Sequence, residues 1–91
     1  VAIPNTLSIA SVYPNPFNPT TTIEFSISSD ANVSIMVYDV KGKLVDSLSN
    51  DNYNAGYHTI TWDATMYGSG IYFVKMITAN TTSTQKIILI K

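Results

Sequence analysis

The sequence predicts an all-β protein, a single immunoglobulin-like antiparallel β-sandwich of about seven strands. Apolar and polar residues alternate with a period of two in several segments, which is typical of half-buried strands. Turn-forming segments recur every roughly 8–12 residues, as in β-sandwiches. No amphipathic helix of useful length can be placed, and 91 residues with 45% hydrophobic content suffice for one modest core. Because cysteine is absent, the likeness is to the immunoglobulin architecture and not to its disulfide.

The first two predicted strands enclose a proline-rich segment. Residues 7–13 predict a short strand that ends at residues 14–19, where three prolines cannot donate to a strand ladder and indicate an edge or a corner. From Thr20 the alternation resumes, with Ile23, Phe25 and Ile27 on one face.

The next pair of strands is predicted as a hairpin. Val33, Ile35 and Val37 share one face of the third strand. Gly42, between two lysines, supplies the positive φ that the reversal needs, and a fourth strand follows over residues 44–49. Residues 50–56 are rich in Asn and Asp and predict a loop.

The last three predicted strands hold the most apolar part of the chain. Residues 57–63 place His58, Ile60 and Trp62 on one face, and residues 64–70 predict a loop. Residues 71–79 and 84–90, joined by a turn at 80–82, are apolar on both faces, which predicts central strands or a face covered by a partner. The predicted core comprises Ile23, Phe25, Val33, Ile35, Val37, Ile60, Trp62, Tyr72 and Val74.

Composition excludes several classes of protein. The formal net charge is -1, only 12% of residues are charged, and the five basic residues are scattered lysines, which argues against nucleic-acid binding. The longest apolar run, residues 87–90, is far shorter than the roughly 18 residues of a spanning helix, so no membrane insertion is expected. Because the chain begins with Val1, we expect one domain over residues 1–91 whose first six residues are a linker from a larger parent protein.

The sequence predicts neither an enzyme nor a metal or cofactor site. His58 is the only histidine, it alternates in register with core residues, and the six acids are spread over separate elements without a nucleophile motif. Asn50, Asn52 and Asn54 resemble part of a calcium loop, but Ala55 stands where glycine is required and Thr61 where glutamate closes the site. A weak calcium site is left open.

Aromatic residues raise glycan binding as an alternative. Trp62 is in register with Ile60 and therefore points inward. Tyr53, Tyr57 and Tyr67 lie in or beside predicted loops, where they either form a stacking platform or cap the end of the core.

Four ordered segments resemble one family, the type A C-terminal sorting domains of the type IX secretion system. They are residues 13–19 (YPNPFNP) with Thr21, Ile23 and Phe25; residues 33–45 (VSIMVYDVKGKLV); residues 56–74, from GYHTITWD to SGIYFV; and the ending TQKIILIK. The middle segments also resemble the Ig-like domain of the flagellar hook-capping protein. The Pro-Asn-Pro opening and the lysine-bearing tail favour the sorting family.

The resemblance implies a non-catalytic C-terminal secretion signal without a cofactor. An N-terminal cargo domain would pass through the periplasm and the outer-membrane type IX translocon of a Gram-negative bacterium. A sortase-like protease would then remove the signal, leaving the cargo secreted or at the cell surface. The partner-binding residues carried over are Gly70 and Tyr72, together with Lys86, Ile87, Ile88, Leu89, Ile90 and Lys91.

Strand physics supports the tail as the recognised element. A terminal edge strand offers unpaired backbone groups to a receptor. Lys86 and Lys91 flank the tail either as recognition groups or as gatekeepers against aggregation. A weak homodimer through an exposed edge is left open. The alternative function is an accessory Ig-like β-sandwich module of an exported enzyme, which binds a glycan or packs against the enzyme without sorting it.

Overall fold

The computed structural model describes residues 8–79 and 81–91, with side chains described from residue 11 onward. These residues form no helix and seven strands: β1 Ser8–Tyr13, β2 Thr20–Ile27, β3 Ala31–Asp39, β4 Leu44–Tyr53, β5 Gly56–Asp63, β6 Gly70–Ile77 and β7 Thr82–Leu89. The predicted all-β sandwich is confirmed. The predicted linker over residues 1–6, Leu7 of the first strand and Asn80 of the last turn lie outside the described residues.

The strands form two antiparallel sheets. One has three strands in the order β1-β2-β5, and the other has four in the order β4-β3-β6-β7. Gly42, with φ of 84°, makes the tight reversal between β3 and β4. Its hairpin is stabilised by Asp39, whose Oδ1 accepts the backbone N–H groups of Lys41 (2.9 Å) and Lys43 (3.0 Å).

Alternate residues of each strand fill the core between the sheets, as the period of two predicts. Eight of the nine predicted core residues are buried, and Ile60 is half-buried and packs against them. Trp62 is the largest buried side chain, and its indole N–H donates to Asp46 Oδ2 at 2.9 Å. Its rings contact Phe17 and Tyr72 at centroid distances of 5.6 and 5.5 Å. These contacts place an aromatic cluster at one end of the core.

The prediction of a loop over residues 50–56 is wrong for its first part. Residues 50–53 continue β4, with Asn50 opposite Ser34 and Asn52 opposite Asn32. The Ser34 hydroxyl donates to Asn50 Oδ1 at 3.2 Å, and Asn32 Nδ2 donates to Asn52 Oδ1 at 3.4 Å. Cross-strand pairing with β3 therefore outweighs the low strand propensity of Asn and Asp.

The two most apolar strands occupy different positions. β6 lies between β3 and β7, so the prediction of a central position is confirmed for it. β7 is an edge strand, so for this strand the alternative that stays a prediction is a face covered by a partner. Within residues 8–79 and 81–91 there is no helix with the length and apolar character that a membrane crossing requires.

Candidate functional site: the C-terminal strand and its edge

The predicted tail alternates between the core and the surface. Ile87 and Leu89 point into the sandwich and are buried, whereas Ile88 is half-buried on the opposite face. Lys86 and the last two residues are exposed, and Ile90 retains 52% of its surface. The tail is thus anchored by alternate side chains, and the others remain accessible.

The proline-rich segment covers the outer edge of this strand. The Ile88 N–H donates to Asn15 Oδ1 at 3.0 Å, and Asn15 Nδ2 donates to the Lys86 carbonyl at 3.1 Å. The Phe17 N–H donates to the Ile88 carbonyl and the Ile90 N–H to the Phe17 carbonyl, both at 2.9 Å. We call Asn15 and Phe17 the edge clamp, because a side-chain amide and one residue of backbone together take the place of a neighbouring strand.

The edge clamp is fixed by the core. Phe17 is 2% exposed and packs on Trp62, so its backbone is held at the end of the sandwich. The buried Thr21 hydroxyl donates to the Pro14 carbonyl at 2.8 Å and ties down the preceding turn. The segment over residues 14–19, whose prolines predict an edge or a corner, therefore also supplies a core side chain.

The clamp changes what the edge of β7 offers to a receptor. From Lys86 to Ile90, the residue after β7, the outward backbone groups are paired with the clamp. Strand addition to the folded domain along this stretch would therefore have to displace the clamp.

The chain terminus is tied to the loop over residues 64–69. The Lys91 N–H donates to Ser69 Oγ at 3.0 Å, and the Lys91 ammonium donates to the Thr65 carbonyl. Asp63 accepts hydrogen bonds from the hydroxyl and the N–H of Thr65. These two bonds, with a smaller contribution from the charge of Lys91, hold the pKa of the Asp63 carboxyl below its usual value.

Gly70 and Tyr72 lie on β6, the strand that pairs with the tail. Gly70 lies opposite Leu89 at the start of β6 with φ of 153°. Tyr72 is opposite Ile87, is buried, and donates its hydroxyl to the Gly68 carbonyl at 2.6 Å. Direct partner binding by these two residues stays a prediction. For Tyr72 it would require the domain to open, because the ring is buried.

Comparison with known proteins connects this geometry to a family. The sequence profile of the secretion system C-terminal sorting domain matches residues 11–91. The chain belongs to this family. It carries a sorting signal for type IX secretion, and the family implies a secreted or cell-surface protein. No curated protein matches the sequence.

Solved structures share the fold of this sorting domain. The crystal structure of dimeric latent PorU from Porphyromonas gingivalis aligns with a TM-score of 0.73 and 26% identity over 88% of this chain and 9% of that one. PorZ, described as an essential bacterial surface component of the type-IX secretion system of the same organism, aligns at 0.63 and 20% identity over 89% and 11%. An uncharacterized protein from Bacillus anthracis aligns at 0.69 and 11% identity over 96% and 86%. The sorting domain thus spans about a tenth of the length of the two Porphyromonas proteins.

Other residues of the sorting domain that the sequence singled out as candidates make structural contacts. His58 packs between Phe25 and Tyr53, and its Nε2 is 2.6 Å from the Asn54 carbonyl. Tyr67 packs on Trp62, and desolvation, with a smaller contribution from Asp46, raises the pKa of its hydroxyl.

The three tyrosines do not form one platform. Tyr53 contacts Phe25, Tyr67 contacts Trp62, and Tyr57 is 55% exposed. Tyr53 and Tyr67 therefore cap the core, as one of the two sequence-based interpretations has it. Among the described residues, no three His, Cys, Asp or Glu side chains are grouped as metal ligands.

Sequence reasoning missed the two residues of the edge clamp. The prolines of residues 14–19 predict an edge or a corner, and no local pattern indicates that Asn15 pairs with residues 71 and 73 positions later. Phe17 has no alternating neighbours to indicate a core side chain. A large apolar residue among prolines was the one available signal.

Proposed function

We propose that the type IX sorting signal is recognised in its folded form, through the side chains that the tail presents outward. These are Lys86, Ile88, Ile90 and Lys91. The domain itself is non-catalytic and serves an N-terminal cargo domain. Its partners are the outer-membrane translocon and a sortase-like protease that cuts upstream after transit through the periplasm.

The observation that carries this proposal is the pairing of the two ends of the family segment. Asn15 and Phe17 lie near its start, and they hydrogen-bond the backbone of Lys86, Ile88 and Ile90 at its end. The outward side chains consequently have defined positions only when the whole domain has folded. A receptor that binds these side chains therefore binds only the folded domain.

The exposed groups suit recognition by a surface with acidic and apolar elements. Lys86 presents an ammonium next to half-buried Ile88, and Ile90 adds an exposed aliphatic group. Such a mixed surface allows an apolar contact framed by charge-assisted hydrogen bonds. The inner residues Ile87 and Leu89 set the position of the strand through the core.

A reporter fusion tests the proposal. A folded reporter enzyme carrying residues 1–91 at its C-terminus is expressed in a type IX-competent host, and its activity is measured in the periplasm, on the surface and in the medium. The intact fusion should leave the periplasm, and a fusion lacking residues 86–91 should accumulate there in active form. A host without a functional translocon provides the control. Normal export of the truncated fusion would refute the proposal.

Point variants separate recognition from folding. Lys86→Glu keeps a gatekeeper charge but reverses its sign, and Ile90→Ser removes an exposed aliphatic group. Each should reduce export while Tm, measured on the isolated chain, stays within about 4 °C of the parent, because exposed substitutions usually change stability by less than roughly 0.5 kcal/mol. Full export of both variants would eliminate outward side-chain recognition. A gatekeeper role alone for Lys86 predicts that Lys86→Glu exports normally.

A further inference from the structure

The outer face of the four-stranded sheet contains a groove separate from the clamped edge. The groove encloses about 320 Å³ and is lined by Tyr38, Val40, Gly42, Phe73 and Lys75, among others. This volume is at the lower end of the range for ligand pockets, roughly 300–1,000 Å³. It suits one or two side chains of a partner better than an extended molecule.

Strand register explains how the groove is built. Tyr38 on β3 lies directly opposite Phe73 on β6, and Phe73 lies opposite Lys86 on β7. Residues directly opposite each other in antiparallel strands share one face of the sheet. The Lys75 ammonium stands 5.7 Å from the centre of the Tyr38 ring. At that distance the ring face attracts the cation and holds it over the floor of the groove.

Positive charge is concentrated on this side of the molecule. Lys75 and Lys86 project from the outer face, and Lys41 and Lys43 flank Gly42 in the hairpin that borders the groove. These are four of the five basic residues in a chain whose net charge is -1. Lys75 and Lys86 therefore give this face positive charge, although the net charge of the whole chain is -1.

The acidic residues lie elsewhere, with one exception. Asp39 lines the groove, and its Oδ1 is engaged by two backbone N–H groups of the hairpin. Asp46 faces the core beside Trp62, and Glu24 belongs to the other sheet. Asp30, in the β2–β3 turn, accepts the Ala55 N–H, and Asp51, on β4, accepts the Asn52 N–H. Asp63, at the end of β5, accepts the Thr65 N–H.

The face also leaves apolar surface uncovered. Val40 is 63% exposed in the groove wall, Leu44 opposite Tyr38 is 48% exposed, and Ile71 opposite Ile88 is 39% exposed. Exposed apolar surface rimmed by polar and charged groups is typical of protein-binding patches.

From this charge complementarity we infer that the outer face of the four-stranded sheet is a second binding surface, for an acidic segment of a partner protein. A partner carboxylate binds the Lys75 ammonium, and its neighbouring apolar or aromatic side chain packs on Tyr38, Phe73 and Val40. This surface adds to the tail and does not depend on the tail being the recognised element.

The donor set favours carboxylates on a protein over phosphates on lipids. Arginine, whose planar guanidinium matches phosphate in a bidentate manner, is absent from the sequence. The two aromatic side chains lie half-buried in the walls of a groove, where they receive a side chain and do not protrude into a lipid layer.

Nuclear magnetic resonance on the labelled 91-residue chain tests the inference. The probe is the capped pentapeptide Gly-Glu-Phe-Glu-Gly, and its neutral counterpart is Gly-Gln-Phe-Gln-Gly. The acidic peptide should shift the amide signals of Tyr38, Phe73, Lys75 and Thr84 in a saturable manner. It should bind about three- to tenfold more tightly than the neutral peptide at low salt, and the difference should shrink at 0.5 M salt.

Matched variants locate the site. Lys75→Gln should weaken binding of the acidic peptide about threefold or more, by loss of its charge. Thr61→Glu changes the net charge by the same amount on the outer face of the other sheet, and should leave the affinity unchanged. Equal affinity for both peptides, shifts centred on the other sheet, or equal losses in the two variants would each overturn the inference. Binding to anionic vesicles or to maltoheptaose at this face in place of the acidic peptide would overturn it as well.

Discussion

Replacing Asn15 by alanine should loosen the C-terminal strand specifically at its outer edge. The substitution removes the acceptor of the Ile88 N–H and the donor to the Lys86 carbonyl. A typical hydrogen bond contributes roughly 0.5–1.5 kcal/mol net, and both bonds are exposed, so the expected loss is about 1–2 kcal/mol. For a domain of this size that loss lowers Tm by roughly 4–16 °C.

Hydrogen exchange provides a local readout of the same change. The Ile88 amide, which donates to Asn15 Oδ1, should exchange about 5–30 times faster in Asn15→Ala. Asn18→Ala is the matched control, because Asn18 lies in the same segment and its side chain makes no hydrogen bond within the described residues. An unchanged Tm together with unchanged exchange at Ile88 would refute the clamp.

Asn15→Asp sharpens the test because it preserves shape. The carboxylate still accepts from Ile88, but an oxygen replaces the amide donor and faces the Lys86 carbonyl. The variant should be at least as unstable as Asn15→Ala at neutral pH. Below a pH of roughly 4 the protonated carboxyl regains a donor, so the deficit relative to the parent should decrease. A deficit that does not change with pH would contradict this reasoning.

Three further predictions follow from the core, the β6 start and the terminal loop. Trp62→Ala should cost roughly 3–5 kcal/mol in urea unfolding because it empties the aromatic cluster, and a loss below about 1 kcal/mol would contradict its role as anchor. Gly70→Ala should lower the free energy of unfolding by about 1 kcal/mol or more, because alanine disfavours a φ of 153°. A clash is not the cause, since the added Cβ would meet no atom within 4 Å. Equal stability of the variant and the parent would exclude backbone strain. The pKa of Asp63, followed by carboxyl chemical shifts, should lie below 3.8 and rise in Thr65→Ala. Because the pKa of Asp63 is lowered in the folded state, this group stabilises the fold above a pH of about 3.8 and loses its contribution as the pH falls through the folded pKa. An Asp63 pKa unchanged by Thr65→Ala would contradict the assignment of the lowered pKa to the Thr65 hydrogen bonds.

The sequence was most informative where strands bury one face. The alternation of Val33, Ile35 and Val37, and of Ile60 with Trp62, is a local property that the pleat of any strand converts into an inner and an outer face. It was least informative at residues 50–53, whose polar composition predicted a loop. Their strand conformation comes from pairing with β3 and from amide bonds across the two strands.

Composition and periodicity alone predicted the all-β class, the two-layer architecture and the buried face of most strands, and the resemblance of four ordered segments indicated the sorting family. Tertiary structure alone decided that β7 is an edge strand and that Asn15 and Phe17 close half of that edge. It also decided that Lys75 and Lys86, two of the five lysines of a weakly acidic chain, project from one face of the four-stranded sheet. The physical reason is range: strand periodicity acts between neighbouring residues, whereas the clamp joins groups more than 70 positions apart, which become neighbours only after both sheets have packed.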